Sequence, residues 1–386
     1  MTTILVTGAT GFLGSALVAN LLASGLRVRA LSRNDPRGER THKAVEEAAS
    51  GFGLALDAEA RARLSVVEVD FQRLSETLEP RHLEDVTAVW NVAAEMSYST
   101  RKIAQSLEQN VFASCLLYAL VAKHARQCQR FYHVSTAYVA GFGLLEVPER
   151  LHFAPRLING YQISKWMAEL NLVHHQRELG LPLTLFRPSI IIGHRETGWS
   201  SGAPFGMFSL AEVLLGGKRL GAEHLQLEAR GDCPQDLVCI DTVVDRAQAL
   251  LEAGAHREPV EVFHCVADER FPLAQALEPA WTALGLSVAF GAARTDVDVE
   301  LNRLFTGNKP FADTTWVFHT DRLQRVLGAG YRPSAMSVEV IGRSLRHFLS
   351  HRLRQLAADP LARAGRGAAL AARPPPPQGV YSSAVL

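Results

Sequence analysis

The 386-residue chain is poor in cysteine, has no excess of either charge and contains no long apolar run. Its five cysteines (Cys115, Cys128, Cys233, Cys239 and Cys265) form no C-x-x-C pair and are odd in number. That spacing argues against a zinc ribbon or a disulfide framework and fits a reduced, cytoplasmic setting. No H-E-x-x-H or comparable ligand cluster occurs among the 14 histidines, so no metal is expected. Lysine plus arginine (40) nearly balance aspartate plus glutamate (39), which removes the electrostatic case for a nucleic-acid partner. No apolar stretch reaches the roughly 18 residues that a membrane span needs. The first strand pattern begins almost at Met1, so a secretory signal is not expected.

What is present is an ordinary globular composition, 47% hydrophobic and 20% charged. The segment "TILVTGATGFLGSALVANLLASGLRVRALSR" reads as strand, glycine turn, helix, strand. Ile4–Val6 form a buried strand, Leu13, Leu17, Leu21 and Leu22 recur at helical spacing, and Gly25 supplies a stop. Apolar strands follow at 64–69, 88–93, 130–135 and 181–186 with helical segments between them. That alternation predicts an α/β fold, a doubly wound parallel Rossmann sheet with a smaller C-terminal substrate lobe. The expected division is a nucleotide-binding domain over 1–193, with returning elements near 236–270, and an interleaved lobe over 194–357. The end, 358–386, is rich in Ala, Arg and Pro and is expected to be disordered.

Two helices carry specific expectations. The one after Asn159 sets Trp166, Met167, Leu170 and Val173 on one side. The one near 336–357 sets Ile341, Leu345, Phe348, Leu349 and Leu356 against a basic face. Docking on the protein and peripheral contact with a membrane surface both suit such a helix. Docking is favoured, because most amphipathic helices bury their stripe internally.

"TGATGFLG" puts Gly8, Gly11 and Gly14 between a strand and a helix, where backbone N–H groups can approach a pyrophosphate at the positive helix end. The second strand ends in "LSR", with Arg33 at its tip and Arg37 and Arg40 close behind. A guanidinium there suits the 2′-phosphate of NADPH, whereas an NAD site usually has an acid. Asp35 is the counter-argument, two residues later. Asp70, after the third strand, either caps the adenine or is a solvated loop acid. The nucleotide contacts expected are Gly8, Thr10, Gly11, Phe12, Leu13, Gly14, Arg33, Arg37, Asp70, Phe71, Ala93, Ala94, Tyr161, Lys165, Pro188 and Ile190. Thr136 lies at the end of the strand "RFYHVS", at the carboxyl edge where parallel sheets bind ligands. Tyr161 and Lys165 in "NGYQISKWMAE" fall one turn apart on one helical face. An ammonium beside the phenol is expected to lower its pKa and ready it for proton exchange.

These stretches, with "VWNVAAEMSY", "QNVFASCLLYAL", "HVSTAYVAG" and "LPLTLFRPSIIIG", resemble the extended short-chain dehydrogenase/reductases. The closer similarity is to the thioester reductase and fatty acyl-CoA reductase ("male sterility") branch, over roughly residues 3–350. The long segment between the second and third strands, about 34–63, also looks like that branch. The resemblance implies a catalytic set of Thr136, Tyr161 and Lys165, with Asn110 supporting the lysine through water. Ser135 is the rival hydroxyl; aligning Val139 with the corresponding family valine selects Thr136. Asn91 departs from the family, which often has histidine there. The implied function is NADPH-dependent reduction of an acyl thioester, held on CoA or on an acyl or peptidyl carrier protein, to an aldehyde and on to an alcohol. The alternatives are an extended short-chain dehydrogenase acting on a ketone, a sugar-nucleotide epimerase, or a catalytically dead cofactor sensor. The intact catalytic set argues against the last.

Overall fold

Seven strands, all paired in parallel, form the central sheet of the computed structural model, which describes residues 2–253 and 258–358. They are β1 (Thr3–Thr7), β2 (Arg27–Ser32), β3 (Leu64–Glu68), β4 (Val86–Asn91), β5 (Arg130–Val134), β6 (Leu183–Pro188) and β7 (Val260–Cys265). Their spatial order is β7-β6-β5-β4-β1-β2-β3. The chain therefore winds outward from β1 to β3 and restarts at β4 on the other side. Ligands bind such sheets at that switch point, beyond the carboxyl ends of β1 and β4.

Side chains alternate along each strand, so both faces of the sheet are buried. Ile4 and Val6 of β1 join a core with helices α1 (Phe12–Ala23) and α2 (Glu39–Phe52), whereas Leu5 joins the core on the opposite face. That second face is covered by α3 (Ala113–His124) and α4 (Gly160–Leu179). α3 is preceded by Ile103–Leu107 and by a π-helical turn at Glu108–Phe112.

The buried side of α4 is not the one that its apolar residues suggest. Of Trp166, Met167, Leu170 and Val173, only Val173 is buried, while Gln162, Ser164, Lys165, Glu169 and Gln176 all turn inward. Partners elsewhere in the fold make this affordable: Gln162 Nε2 donates to the Tyr138 carbonyl at 2.9 Å, and Glu169 pairs with Arg187. A buried polar group carries little penalty once it is hydrogen-bonded.

A separate core joins α5 (Met207–Arg219), α6 (Leu273–Ala283) and α7 (Val338–Ala358). Ile341, Leu345, Phe348 and Leu349 of α7 are buried in it and Leu356 packs against its margin, so the amphipathic C-terminal helix docks on the protein. The Ala/Arg/Pro-rich tail beyond 358 lies outside the described residues. Among those described, no helix is long and apolar enough to cross a membrane, and no cluster of His, Cys, Asp or Glu is arranged to hold a metal. All five cysteines are free.

Candidate active site

The glycine turn is set by close backbone approach. Gly8 has φ +75°, and a Cβ on it would meet the Ala93 nitrogen at 2.8 Å; a Cβ on Gly14 would meet the Gly8 carbonyl oxygen at 2.1 Å. Glycine is therefore required at both positions for β1, α1 and the segment after β4 to come together. Gly11 is the N-cap of α1 and supplies no side-chain cap, and no acidic residue occupies the first turn. The first amides of the helix are left available to an anion, so the turn fits a dinucleotide pyrophosphate. Thr7 braces the site from below: its hydroxyl donates to Asn91 Oδ1 at 2.7 Å and accepts from the Val92 and Ala93 amides at 3.0 and 3.1 Å. Asn91 also donates to Ser114 Oγ at 2.9 Å and lies 3.1 Å from His133 Nδ1. Burial holds His133 well below its ordinary pKa, and so neutral.

At the ribose end, Arg33 is exposed and lines the cleft, and Asn34 takes the left-handed conformation at φ 52°. Arg40 Nη1 donates to the carbonyls of both, at 3.1 and 3.4 Å, pinning the loop that carries Arg33. Asp35 faces inward. Its carboxylate accepts from the Arg40 and Thr41 amides at 3.0 Å each and from the Thr41 hydroxyl at 2.7 Å. Burial pushes its pKa up, but the Thr41 hydroxyl and these amides outweigh that and hold it below the usual value. It is thus spent on the start of α2 rather than turned to a ribose. Arg37 does not line the cleft; it is exposed and pairs with Glu39 at 3.1 Å. Asp70 and Phe71 line it, with Asp70 accepting from the Gln72 amide at 2.9 Å.

α4 starts at Asn159, whose side chain accepts from the Gln162 amide at 2.8 Å and so aims Tyr161 and Lys165 at the end of β5. The Thr136 hydroxyl accepts from the Tyr138 amide at 3.3 Å and shares the cleft with the Tyr161 phenol, whose pKa it lowers. Ser135 Oγ is buried without a hydrogen-bond partner. The expected lowering of the phenol by Lys165 is not what the geometry gives. Burial raises the Tyr161 pKa and nearby Tyr98 adds to this, with only the Thr136 hydroxyl opposing. Lys165 is turned instead to the Val134 carbonyl, to which Nζ donates at 2.7 Å. Burial lowers its own pKa to about 8, against the pull of Glu169. At neutral pH the pair is thus a protonated phenol and a largely protonated amine, the state a proton donor needs.

Asn110 sits in the π-helical turn, a frequent device at functional sites. Its Oδ1 accepts from the Glu95 amide at 2.7 Å, and its Nδ2 donates to the Glu95 carbonyl and to Ser164 Oγ, each at 2.9 Å. It therefore holds α4 at the residue before Lys165 and has no direct bond to the lysine.

One cleft of about 1190 Å³ gathers Gly8, Thr10, Gly11, Phe12, Leu13, Gly14, Arg33, Asp70, Phe71, Ala93, Ala94, Thr136, Tyr161, Lys165, Pro188 and Ile190. The sequence reading missed Tyr98, Gln109, Ser189 and the stretch Ser201–Phe208, which contributes Phe205 and Gly206. It also passed over Arg187, whose charge inside the apolar run "LTLFRPSIII" was the available signal. Arg187 is fully buried and binds Glu169 through two bonds, at 2.8 and 2.6 Å, tying β6 to α4.

Comparison with known proteins agrees with this fold. The terminal R domain of the myxalamid PKS-NRPS pathway superposes with a TM-score of 0.72 over 91% of both chains, at 23% identity. The non-reducing polyketide synthase pkiA of Emericella nidulans is 31% identical over 277 residues, 68% of this chain and 10% of its own length. The fatty acyl-CoA reductase 1 of Pongo abelii is 26% identical over 312 residues, 70% of this chain and 58% of the relative. The chain thus spans about a tenth of the synthase and somewhat over half of the reductase. Residues 6–246 match the family model described as Male sterility protein, and the chain belongs to that family of nicotinamide-dependent oxidoreductases.

Proposed function

We propose that the chain is an NADPH-dependent reductase that converts an acyl thioester, held on CoA or on a carrier protein, into an aldehyde and the free thiol. The observation that carries this reading is the meeting of Thr136, Tyr161 and Lys165, the last one turn from the phenol, in the cleft that also holds the glycine turn. Relatives named as a fatty acyl-CoA reductase and a polyketide synthase support a thioester as substrate.

Bound NADPH would supply the hydride. The amides of the glycine turn hold the pyrophosphate, Arg33 the 2′-phosphate and Lys165 the nicotinamide ribose. Thr136 and Tyr161 direct their hydroxyls at the thioester carbonyl oxygen, where negative charge grows as the carbon is reduced. Tyr161 passes its phenolic proton to that oxygen, giving a hemithioacetal, and recovers a proton from solvent. Collapse re-forms the C=O bond, breaks the C–S bond and sends the proton out on the thiol. A second reduction of the same kind takes the aldehyde to the alcohol. Product analysis with NADPH and a panel of acyl-CoA and acyl-carrier thioesters tests the reading. Aldehyde or alcohol with stoichiometric thiol is the expected result; turnover of ketones alone would contradict it.

A further inference from the structure

We infer that a small side pocket beside Tyr161 receives the substrate's acyl group and restricts it to a short aliphatic chain, with Phe311 setting the limit. The inference rests on the thioester reading above and adds the substrate class. The pocket, about 40 Å³, is walled by Tyr98, Tyr138, Ile190, Met207, Leu210 and Phe311. Three of these residues, Tyr98, Tyr138 and Ile190, together with Gly206, also line the main cleft, so the pocket opens into it between them. The Tyr98 ring stacks on the Tyr161 ring at 6.3 Å and 28°, which puts the mouth next to the proton-donating phenol.

The two substituents of the reacting carbonyl carbon make different demands. The thiol side must lead to a CoA or carrier arm and needs an open route. The cleft supplies one past Phe205, which is 50% exposed. The acyl side has no such need, and an apolar recess favours it by excluding water from the alkyl chain.

The recess is firm as well as small. Phe311 lies 5.8 Å from Tyr98, 5.5 Å from Tyr138 and 5.4 Å from Phe142, ring to ring. Gly206 has φ +53°, and a Cβ there would meet Ile190 Cγ2 at 2.7 Å, so only glycine lets the loop close on this wall. At the far end, Gln235 Nε2 donates to the Cys233 and Ala312 carbonyls at 3.2 and 3.1 Å. Since a water needs roughly 10–15 Å³ of such space, the pocket holds about three methylene-sized groups beyond its mouth. Acyl groups of roughly two to five carbons therefore fit, and long-chain fatty acyl groups do not. Behind Phe311 lie Phe142 and Trp316, so shortening Phe311 extends the recess toward them.

The test is a chain-length series of acyl-pantetheine thioesters, from acetyl to dodecanoyl, read both as kcat/KM with NADPH and as stabilisation of the protein against thermal unfolding. Wild type should peak at butanoyl or shorter by both readouts. Phe311→Ala, and the gentler Phe311→Leu, should raise the octanoyl-to-butanoyl ratio by ~10-fold or more, the scale for a few methylenes in an apolar pocket. Leu210→Phe should fill the recess and lower kcat/KM for butanoyl while sparing acetyl. A wild type that handles dodecanoyl as well as butanoyl, or folded variants with an unchanged profile, would overturn the assignment. If no thioester is reduced yet stabilisation still peaks at short acyl groups, the proposed reaction fails and the pocket assignment stands. Stabilisation that climbs steadily with chain length sinks the pocket assignment whatever the turnover.

Discussion

The Lys165 ammonium donates a 2.7 Å hydrogen bond to the Val134 carbonyl from a side chain only 1% exposed. The bond ties α4 to the end of β5, two residues before Thr136, so the lysine fixes the relation between Thr136 and Tyr161 even before any ligand binds.

Burial puts the Lys165 pKa at about 8, against an ordinary 10.5, and two pH effects follow. The ammonium is lost as pH rises through about 8, so kcat/KM should fall along an alkaline limb there, and Lys165→Arg should move that limb upward. For stability, the unfolded chain binds the proton more tightly than the folded one between these values. The contribution of this group is therefore fully present only above 10.5 and is lost as pH falls through about 8. Denaturant titrations across the interval, compared with Lys165→Met, should show wild type gaining relative stability as pH rises. A flat comparison would mean the lysine is not desolvated.

Arg33 and Asp35 should separate cleanly. Arg33→Ala is expected to weaken NADPH by roughly 1.5–3 kcal/mol, the worth of hydrogen bonds to a charged group, and to leave NADH nearly unchanged. Asp35→Ala removes the acceptor for the Arg40 and Thr41 amides, so it should lower stability by about 1–2 kcal/mol without altering cofactor choice. Equal losses of NADPH and NADH affinity in Arg33→Ala would rule out the 2′-phosphate role.

Glu169 and Arg187 should behave as a locked pair. Both are buried, so Glu169→Gln leaves a guanidinium without its counter-charge and should destabilise the protein by about 3–5 kcal/mol. Because the pair fixes α4 one turn beyond Lys165, activity at permissive temperature should fall as well. Chemical denaturation measures the first effect and initial rates the second.

Gly8 and Gly14 were legible in the sequence because the demand they meet is steric and local: a Cβ at either strikes backbone, and only one residue type avoids it. The alternation of apolar strands and helices carried the doubly wound sheet for a similar reason, since strands buried on both faces must be apolar throughout. Asp35 was ambiguous because sequence gives a side chain's position but not its direction, and direction separates a ribose ligand from a helix cap. The buried face of α4 was not legible from its apolar residues because its buried polar residues depend on distant partners. Ser164 meets Asn110 across 54 residues, and Glu169 meets Arg187 beyond the end of its own helix. The side pocket was invisible for the same reason: Tyr98, Tyr138 and Phe311 have no shared periodicity and meet only through tertiary packing.

The last prediction concerns the proton. Tyr161 is half-buried, with its phenol desolvated and held protonated across the neutral range, so it can act as the acid only by giving up that proton as charge develops on the substrate oxygen. Tyr161→Phe keeps the ring and its stacking with Tyr98 but removes the proton; NADPH should still bind while turnover falls by ~10²-fold or more, the usual scale for a lost general acid. Thr136→Val keeps the shape of the β5 end and should lower kcat more than cofactor affinity, because its hydroxyl is needed where charge grows. Lys165→Ala should impair both, since one ammonium serves the ribose and the α4–β5 tie. Stopped-flow rates at saturating NADPH, with binding measured separately by cofactor fluorescence, distinguish these patterns. Near-wild-type thioester reduction by Tyr161→Phe would remove the phenol from the chemistry and leave Thr136 as the donor to be tested first.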